Sequence, residues 1–155
     1  MNGIFDTHAH YTSDAFDADR EALLASLPSR GIAAVVDCGT DLATSEASLA
    51  LAHRFPFLYT AAGIHPESLT DVTATTTTRF GGDWRAEMAA LAPLYDDPRV
   101  VAVGECGLDC HWPIPKDAQL ALFEAEIRFA LERDLPIIVH DREAHAETYA
   151  LLKKY

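Results

Sequence analysis

The first residues whose type and spacing suggest chemistry are two histidines, His8 and His10, near the start of the chain. On an extended backbone, side chains two residues apart point to the same face. Two imidazoles on one face suit a divalent metal ion of the zinc type. The pair alone is weak evidence, because two exposed loop histidines would show the same spacing.

A carboxylate and a third imidazole extend this pattern further along the chain. Glu105 follows an apolar run and a glycine, and His140 follows the apolar residues PIIV. Taken singly, Glu105 would be interpreted as a salt-bridged carboxylate at a strand end, and His140 as a hydrogen-bonded core histidine. Taken together with the HxH pair, they predict a metal site. A bridging carboxylate with imidazoles on either side is what two metals about 3.5–4 Å apart require.

Two further residues, His65 and Arg142, have a different character, because neither completes a ligand spacing. A guanidinium beside a metal pair is suited to holding a phosphate through two parallel hydrogen bonds. Arg142 could instead pair with Asp141 or Glu143. His65, which precedes Pro66, could instead be a turn histidine that caps a helix.

The elements that must position these residues alternate between strands and helices. Short apolar runs predict five strands, at 3–6, 32–37, 57–64, 100–104 and 136–139. Amphipathic stretches predict helices at 17–29, 41–54, 83–95, 116–133 and 143–155, with Thr40 or Asp41 as the N-cap of the second and a loop at 70–78. Continuous apolar strands separated by helices indicate a parallel sheet in an α/β fold. The candidate residues all follow strand ends, where sites of such folds are built.

Composition limits the classes of partner that the protein can have. The chain has 155 residues, of which 24 are acidic and 12 basic, giving a formal charge of −12. A broad basic surface for nucleic acid is therefore excluded, and phosphate chemistry would need local cations. No apolar run is long enough to cross a membrane. Three cysteines without a CxxC pattern, and no recognisable signal peptide, favour the reducing cytoplasm. No linker divides residues 1–155, so we expect a single domain.

Four ordered segments make the chain similar to the TatD family of metal-dependent hydrolases, within the amidohydrolase-type barrels. These segments are FDTHAH (5–10), AAGIHP (61–66), VAVGECGLD (101–109) and LPIIVHDREA (135–144). The resemblance implies a (β/α)8 TIM barrel and hydrolysis of phosphodiester bonds in DNA by a deoxyribonuclease-type site. It also implies two divalent metal ions, whose identity (Zn, Mg or Mn) the ligand types leave open.

The same resemblance implies a role for each candidate residue. His8 and His10 would bind one metal, His140 would bind the second, and Glu105 would bridge both as the central catalytic ligand. His65 and Arg142 would lie near the substrate phosphate, and Asp6 would support the histidines or their strand. The implied reaction is attack on phosphorus by a metal-activated water.

Length sets a further expectation, because a complete eight-stranded barrel needs at least about 200 residues. We therefore expect a partial barrel, the first five βα units with parallel strands. The family pattern also expects a histidine after strand 6 and an aspartate after strand 8. Without them, we expect the 155-residue chain to hydrolyse DNA weakly or not at all. Unpaired edges of strands 1 and 5 would be templates for self-association.

Two other functions fit the same residues. One is a different amidohydrolase-type enzyme, acting on cyclic amides, lactones or phosphotriesters. Such enzymes commonly place a carboxylated lysine after strand 4, where this chain has Glu105. The other is a non-catalytic metal-binding or association module, in which metal would bind without turnover. The sequence does not choose between DNA and RNA, nor fix the direction of digestion.

Overall fold

A computed structural model describes residues 3–70 and 79–155, in which parallel strands alternate with helices. The strands are β1 (Ile4–Ala9), β2 (Ile32–Cys38), β3 (Leu58–Ala62), β4 (Val100–Asp109) and β5 (Ile137–Arg142). The helices are α1 (Arg20–Ser26), α2 (Leu42–Arg54), α3 (Trp84–Leu91), α4 (Lys116–Arg133) and α5 (His145–Leu152). Short 3-10 turns occupy Asp14–Phe16, Pro28–Arg30, Pro66–Leu69 and Ala92–Asp96.

The five strands form one sheet in the order β1-β2-β3-β4-β5, and each neighbouring pair is parallel. Neighbouring strands lie about 4.8 Å apart, so β1 and β4 would be roughly 14 Å apart in a flat sheet. Side chains of β1 and β4 nevertheless touch, with His8 Nε2 3.0 Å from Glu105 Oε2. The sheet is therefore strongly curved, and the prediction of a partial TIM barrel is confirmed.

Both faces of the central strands β2, β3 and β4 are largely packed, which explains why these strands contain continuous apolar runs. On the helix side, Val35 and Leu58 pack with Leu24 of α1 in a fully buried cluster. On the other side, Val36 joins a cluster of small residues that includes Ala61 and Ala102. Because successive residues of a strand point to opposite faces, adjacent residues of β2 serve different clusters.

The boundaries of the strands differ from the sequence prediction in a way that matters for the site. The predicted strand at 100–104 was too short, since β4 continues to Asp109 and Glu105 lies inside it. The added residues remain paired with β5, where Gly107 is opposite His140 and Asp109 is opposite Arg142. β1 and β5 likewise include His8 and His140 rather than ending before them. The sequence did not predict these strand ends because their side chains are polar. The strands continue there through backbone hydrogen bonds between β4 and β5, which do not depend on apolar side chains.

Proline and glycine account for two helices that are shorter than predicted. The predicted helix at 17–29 is α1, which ends at Ser26 and leads into the 3-10 turn Pro28–Arg30. Gly31 caps this turn with a φ of 90°. The predicted helix at 83–95 becomes α3 followed by a 3-10 turn with proline in its first turn. The last helix, predicted at 143–155, spans only His145–Leu152. Apart from Thr70, the loop predicted at 70–78 lies outside the described residues.

The start of α2 is fixed by a reciprocal cap. Asp41 Oδ1 accepts the backbone N–H of Thr44 at 2.7 Å, and Thr44 Oγ1 accepts the backbone N–H of Asp41 at 3.0 Å. Of the two N-cap candidates, Asp41 is therefore the N-cap. Among the described residues, no helix is both long enough and apolar enough to cross a membrane.

Candidate metal centre

Glu105 lies at the centre of the site and is 6% exposed. Its Oε2 is 3.0 Å from His8 Nε2 and 3.1 Å from His10 Nε2, and its Oε1 is 3.1 Å from His140 Nδ1. Burial by itself would raise the pKa of Glu105, but the hydrogen bonds with His10 and His140 have the larger, opposite effect. They hold the pKa of Glu105 well below its usual range. An ionised carboxylate surrounded by imidazoles is ready to bind a cation.

Close contact between two glycines positions this carboxylate. A Cβ atom on Gly63, at the end of β3, would lie 2.6 Å from the Cα of Gly104. Any larger residue there would push β3 and β4 apart, so glycine is required. The backbone N–H of Glu105 also donates to the carbonyl of Gly39, after β2, at 2.8 Å. The ends of three strands therefore hold Glu105 in place.

The first group of ligands, His8 and His10 with Glu105, is open to solvent. The side chains of His8 and His10 are 39% and 42% exposed, and their Nε2 atoms lie 3.1 Å apart. His10 Nδ1 donates to the carbonyl of Cys38 at 3.0 Å, which leaves the lone pair of Nε2 facing Glu105. Asp6 Oδ1 accepts the backbone N–H of His8 at 3.1 Å, so this carboxylate supports the strand rather than an imidazole.

The second group, His65 and His140 with Glu105, is more deeply buried, with His65 and Glu105 buried and the side chain of His140 20% exposed. The rings of His65 and His140 meet edge to face, with centroids 4.1 Å apart. Burial, and then the charge of His140, lower the pKa of His65 to about 4, so its imidazole is neutral at neutral pH. His65 Nδ1 also accepts the backbone N–H of Glu67 at 3.2 Å and caps the turn Pro66–Leu69. His65 therefore both caps this turn and lines the site.

Each group offers ligand atoms that all lie within 4.8 Å of one another, and Glu105 belongs to both. Imidazole nitrogens and carboxylate oxygens are donors that Zn²⁺, Mn²⁺ and Fe²⁺ accept, and carboxylates also suit Mg²⁺. The residues present thus fit divalent metal ions. Glu105 is the residue that the two candidate groups have in common.

Asp109 is a residue of the site that the sequence reasoning missed. It is fully buried at the end of β4, and its Oδ2 lies 2.9 Å from His140 Nε2. Its spacing of four from Glu105 was a usable signal, because residues separated by an even number share one face of a strand. The signal was lost when the strand was predicted to end at residue 104.

Arg142 is exposed, and the structure does not bring it into the cavity that Glu105 lines. Its guanidinium lies over the ring of Trp112, 5.8 Å from the centroid. Neither acidic neighbour pairs with it, since Asp141 contacts His145 at 2.6 Å and Glu143 contacts His111 at 3.0 Å. Among the described residues, the ion-pair partners of these two carboxylates are therefore histidines and not Arg142.

The cavity itself has a volume of about 680 Å³ and is lined by acidic, hydroxyl and imidazole side chains. The lining residues are His10, Thr12, Ser13, Asp14, Cys38, Thr40, Thr44, His65, Glu67, Glu105 and His140. No lysine or arginine is among these described residues. An anionic ligand in this cavity would consequently meet positive charge only from bound metal or from protonated histidine.

Comparison with known proteins gives one family. The model of the family described as TatD related DNase matches residues 5–155. The chain is 34% identical over 97% of its length to the uncharacterized metal-dependent hydrolase YabD of Bacillus subtilis. It is 36% identical over 96% of its length to the 3'-5' ssDNA/RNA exonuclease TatD of Cronobacter sakazakii. It covers 55% and 53% of these two proteins, about half of their length.

Solved structures agree on the fold. The crystal structure of YjjV, a TatD homologue from Escherichia coli, superposes with a TM-score of 0.81 at 30% identity and covers 97% of this chain and 55% of that one. A TatD-family hydrolase from Entamoeba histolytica superposes with a TM-score of 0.79 over 99% of this chain and 54% of that one. At 19% identity, this second likeness concerns the fold alone. The chain therefore belongs to the TatD-related DNase family of metal-dependent hydrolases.

Proposed function

We propose that the site holds two divalent metal ions, bridged by Glu105, and hydrolyses phosphodiester bonds of nucleic acid. The observation that carries this proposal is that imidazoles lie on both sides of Glu105, with His8 and His10 at Oε2 and His140 at Oε1. When bound, such metals polarise the phosphate and acidify a water molecule for in-line attack. His8 and His10 would hold one ion, and His140 the other.

His65 is proposed to contact the substrate phosphate. Because its Nδ1 accepts the N–H of Glu67, its single proton lies on Nε2. A neutral imidazole with a proton on Nε2 can donate a hydrogen bond to a phosphoryl oxygen, and His65 lines the cavity. Arg142 is proposed as a more distant phosphate contact. It follows His140 by two residues on β5 and so has the same orientation in the strand.

The substrate proposed is a single strand of DNA or RNA, entering by one end. Relatives of this chain carry the name 3'-5' ssDNA/RNA exonuclease. The net charge of the chain is −12, and the described lining of the cavity has no lysine or arginine to attract a phosphate backbone. Binding of the strand should therefore depend on the metals, which concentrate positive charge at one point.

The test combines binding and cleavage of a labelled single-stranded oligonucleotide with and without Mn²⁺. We expect metal-dependent binding in fluorescence anisotropy, weak metal-dependent cleavage, and loss of both in Glu105→Gln. Glu46→Gln, on the exposed face of α2, is the matched control and should leave both unchanged. Binding that persists without metal, or in Glu105→Gln, would contradict the proposal. Metal binding with no effect on the oligonucleotide would favour a non-catalytic metal-binding module.

We also infer that two copies of the chain associate through β1. Ile4 and Phe5 are 44% and 57% exposed, and only one edge of β1 is paired with a described strand. Like charges on the two copies oppose association, so salt should strengthen it by screening. Light scattering checks this, and a monomer of 16.9 kDa at high salt and high concentration would contradict it.

A cytoplasmic location is proposed on the state of the cysteines. Cys38 and Cys106 are buried free thiols and Cys110 is an exposed one. An exposed thiol persists more readily in a reducing compartment. Cell fractionation checks the location, and recovery of the protein outside the cytoplasmic fraction would contradict it.

A further inference from the structure

We propose that Asp109 is a positioning residue that fixes the tautomer of His140, and thereby the nitrogen that His140 presents to a metal. This inference rests on the proposed two-metal site. It concerns which nitrogen of His140 is free to bind a metal, and not which residues are the metal ligands.

Hydrogen bonds to groups other than His140 fix the position of Asp109. Its Oδ1 accepts the backbone N–H groups of His111 at 2.9 Å and of Trp112 at 3.3 Å. Gln119, a buried side chain of α4, accepts the N–H of Asp109 at 2.8 Å and donates to its carbonyl at 2.9 Å. Both the side chain and the backbone of Asp109 are therefore fixed, and only Oδ2 remains for His140.

This geometry determines which nitrogen of a singly protonated His140 carries the proton. Asp109 Oδ2 lies 2.9 Å from Nε2, and an ionised carboxylate can only accept. A proton on Nε2 leaves the lone pair of Nδ1 facing Glu105, 3.1 Å away. Nδ1 is then the nitrogen that points to the shared centre of the two ligand groups.

Glu105 competes with Asp109 for the same ring, because both carboxylates can accept from it. Glu105, however, divides its two oxygens among three imidazoles, those of His8, His10 and His140. Asp109 contacts His140 and no other imidazole within the described residues. His140 therefore shares Glu105 with two other imidazoles but does not share Asp109. We expect Asp109 to be the stronger acceptor for His140 and to keep the proton on Nε2.

His10 has a similar arrangement, in which one ring nitrogen donates a hydrogen bond and the other faces Glu105. Its outer nitrogen, Nδ1, donates to the carbonyl of Cys38, and its inner nitrogen, Nε2, faces Glu105. His140 repeats the arrangement with the nitrogens exchanged and a buried carboxylate in place of the carbonyl. An outer partner of this kind typically changes metal affinity about 10–100-fold.

Asp109→Asn tests the idea with little change of shape. The two backbone N–H groups of His111 and Trp112 require an oxygen at the Oδ1 position. The new NH2 group must therefore face His140 Nε2, which has to become an acceptor. The proton then moves to Nδ1, and the nitrogen that faces Glu105 can no longer bind a metal until the ring reverts.

The primary measurement is the 15N NMR spectrum of the His140 ring in the metal-free chain, at a pH where the ring carries one proton. We expect Nε2–H in the native chain and Nδ1–H in Asp109→Asn. The second measurement is calorimetric titration with Zn²⁺, in which Asp109→Asn should weaken the His140-dependent binding about 10–100-fold. Asp97→Asn is the matched control, because Asp97 contacts His53 at 2.8 Å far from Glu105 in the fold. It should change neither result for His140.

The outcomes separate this inference from the proposed function. A proton on Nδ1 in the native chain, or the same tautomer in both chains, would overturn the role of Asp109 even if metals bind. Failure of the native chain to bind Zn²⁺ would contradict the two-metal site, while the NMR result would still decide the tautomer. If Asp109→Asn does not fold, the native spectrum alone decides, since Nδ1–H there refutes the proposal.

Discussion

The two groups of ligands around Glu105 are built differently. On the β1 side, the side chains of His8 and His10 are about 40% exposed, both contact Glu105, and His10 also donates to the carbonyl of Cys38. On the β5 side, the side chain of His140 is 20% exposed and lies between Glu105 and the buried Asp109, against the ring of His65. The comparison suggests that the β5 side is part of the folded core, whereas the β1 side is a surface that ligands can reach.

The difference has an energetic meaning. A buried imidazole between two carboxylates compensates charges that would otherwise be unpaired in a medium of low dielectric constant. An exposed imidazole exchanges its partners with water at little cost. Changes on the β5 side should therefore affect both stability and metal binding, and changes on the β1 side mainly metal binding.

The largest expected effect comes from removing the residue that both groups share. Glu105→Gln keeps the shape of the side chain but removes the charge that lies near all three imidazoles. We expect saturable Zn²⁺ binding to disappear in calorimetric titration, whereas Glu46→Gln should bind as the native chain does. Retention of either metal in Glu105→Gln would show that the two groups do not share a ligand in solution.

A pH titration tests whether the β1 side also depends on a buried carboxylate, that of Asp37. Asp37 is fully buried and accepts the backbone N–H of Tyr11, directly after His10. Burial raises its pKa from 3.8 to about 6. Since the folded state holds the proton more tightly than the unfolded state, this carboxyl lowers the free energy of unfolding as pH rises from 3.8 through 6. The full cost, reached above pH 6, is about 3 kcal/mol.

Asp37→Asn removes this titration and keeps an oxygen for Tyr11. The difference in unfolding free energy between the variant and the native chain should therefore shift by about 2 kcal/mol in favour of the variant between about pH 4 and pH 7. Urea denaturation at both pH values measures the shift. Asp96→Asn, whose side chain is 81% exposed, is the control. An equal pH dependence in Asp37→Asn and the native chain would show that Asp37 is not buried as a charge.

Paired alanine variants test the comparison itself. His140→Ala leaves Asp109 and Glu105 without this imidazole, and we expect it to lower the unfolding free energy of the metal-free chain by about 2–3 kcal/mol. His8→Ala removes a half-exposed side chain and should cost less than about 1 kcal/mol. Equal losses in thermal or urea denaturation would mean that the two sides contribute alike to the fold.

Arg142 gives the smallest expected effect. Because its guanidinium lies over Trp112 outside the cavity lining, Arg142→Ala should weaken binding of a single-stranded oligonucleotide by a few-fold, about 1 kcal/mol or less. Arg142→Lys, which keeps the charge, should lie between the alanine variant and the native chain. Anisotropy in the presence of Mn²⁺ measures both, and a loss of 100-fold would place Arg142 at the scissile phosphate.

The sequence was sufficient for the fold class because continuous apolar runs mark the central strands β2, β3 and β4, and longer stretches of helical character separate them. It also brought His8, His10, Glu105 and His140 together in expectation, since parallel strands share one end. It could not give the true ends of β4 and β5, because polar residues there are paired through the backbone. That error concealed Asp109, whose role depends on a distance to His140 that no spacing along the chain specifies.

The sequence also could not predict how exposed each candidate ligand is. His8 and His140 each lie next to apolar or small residues in the chain, yet one is half-exposed and the other largely buried. The difference arises because His65, Glu105 and Asp109, which come from other parts of the chain, surround the ring of His140. These are tertiary features, and local patterns do not encode them.

The most direct test of the two-metal site is a count of bound metal by native mass spectrometry. We predict about two Zn²⁺ or Mn²⁺ ions per native chain, one in His8→Ala, one in His140→Ala, and none in Glu105→Gln. A native chain that binds no metal would contradict the account. So would a count that stays the same in all three variants.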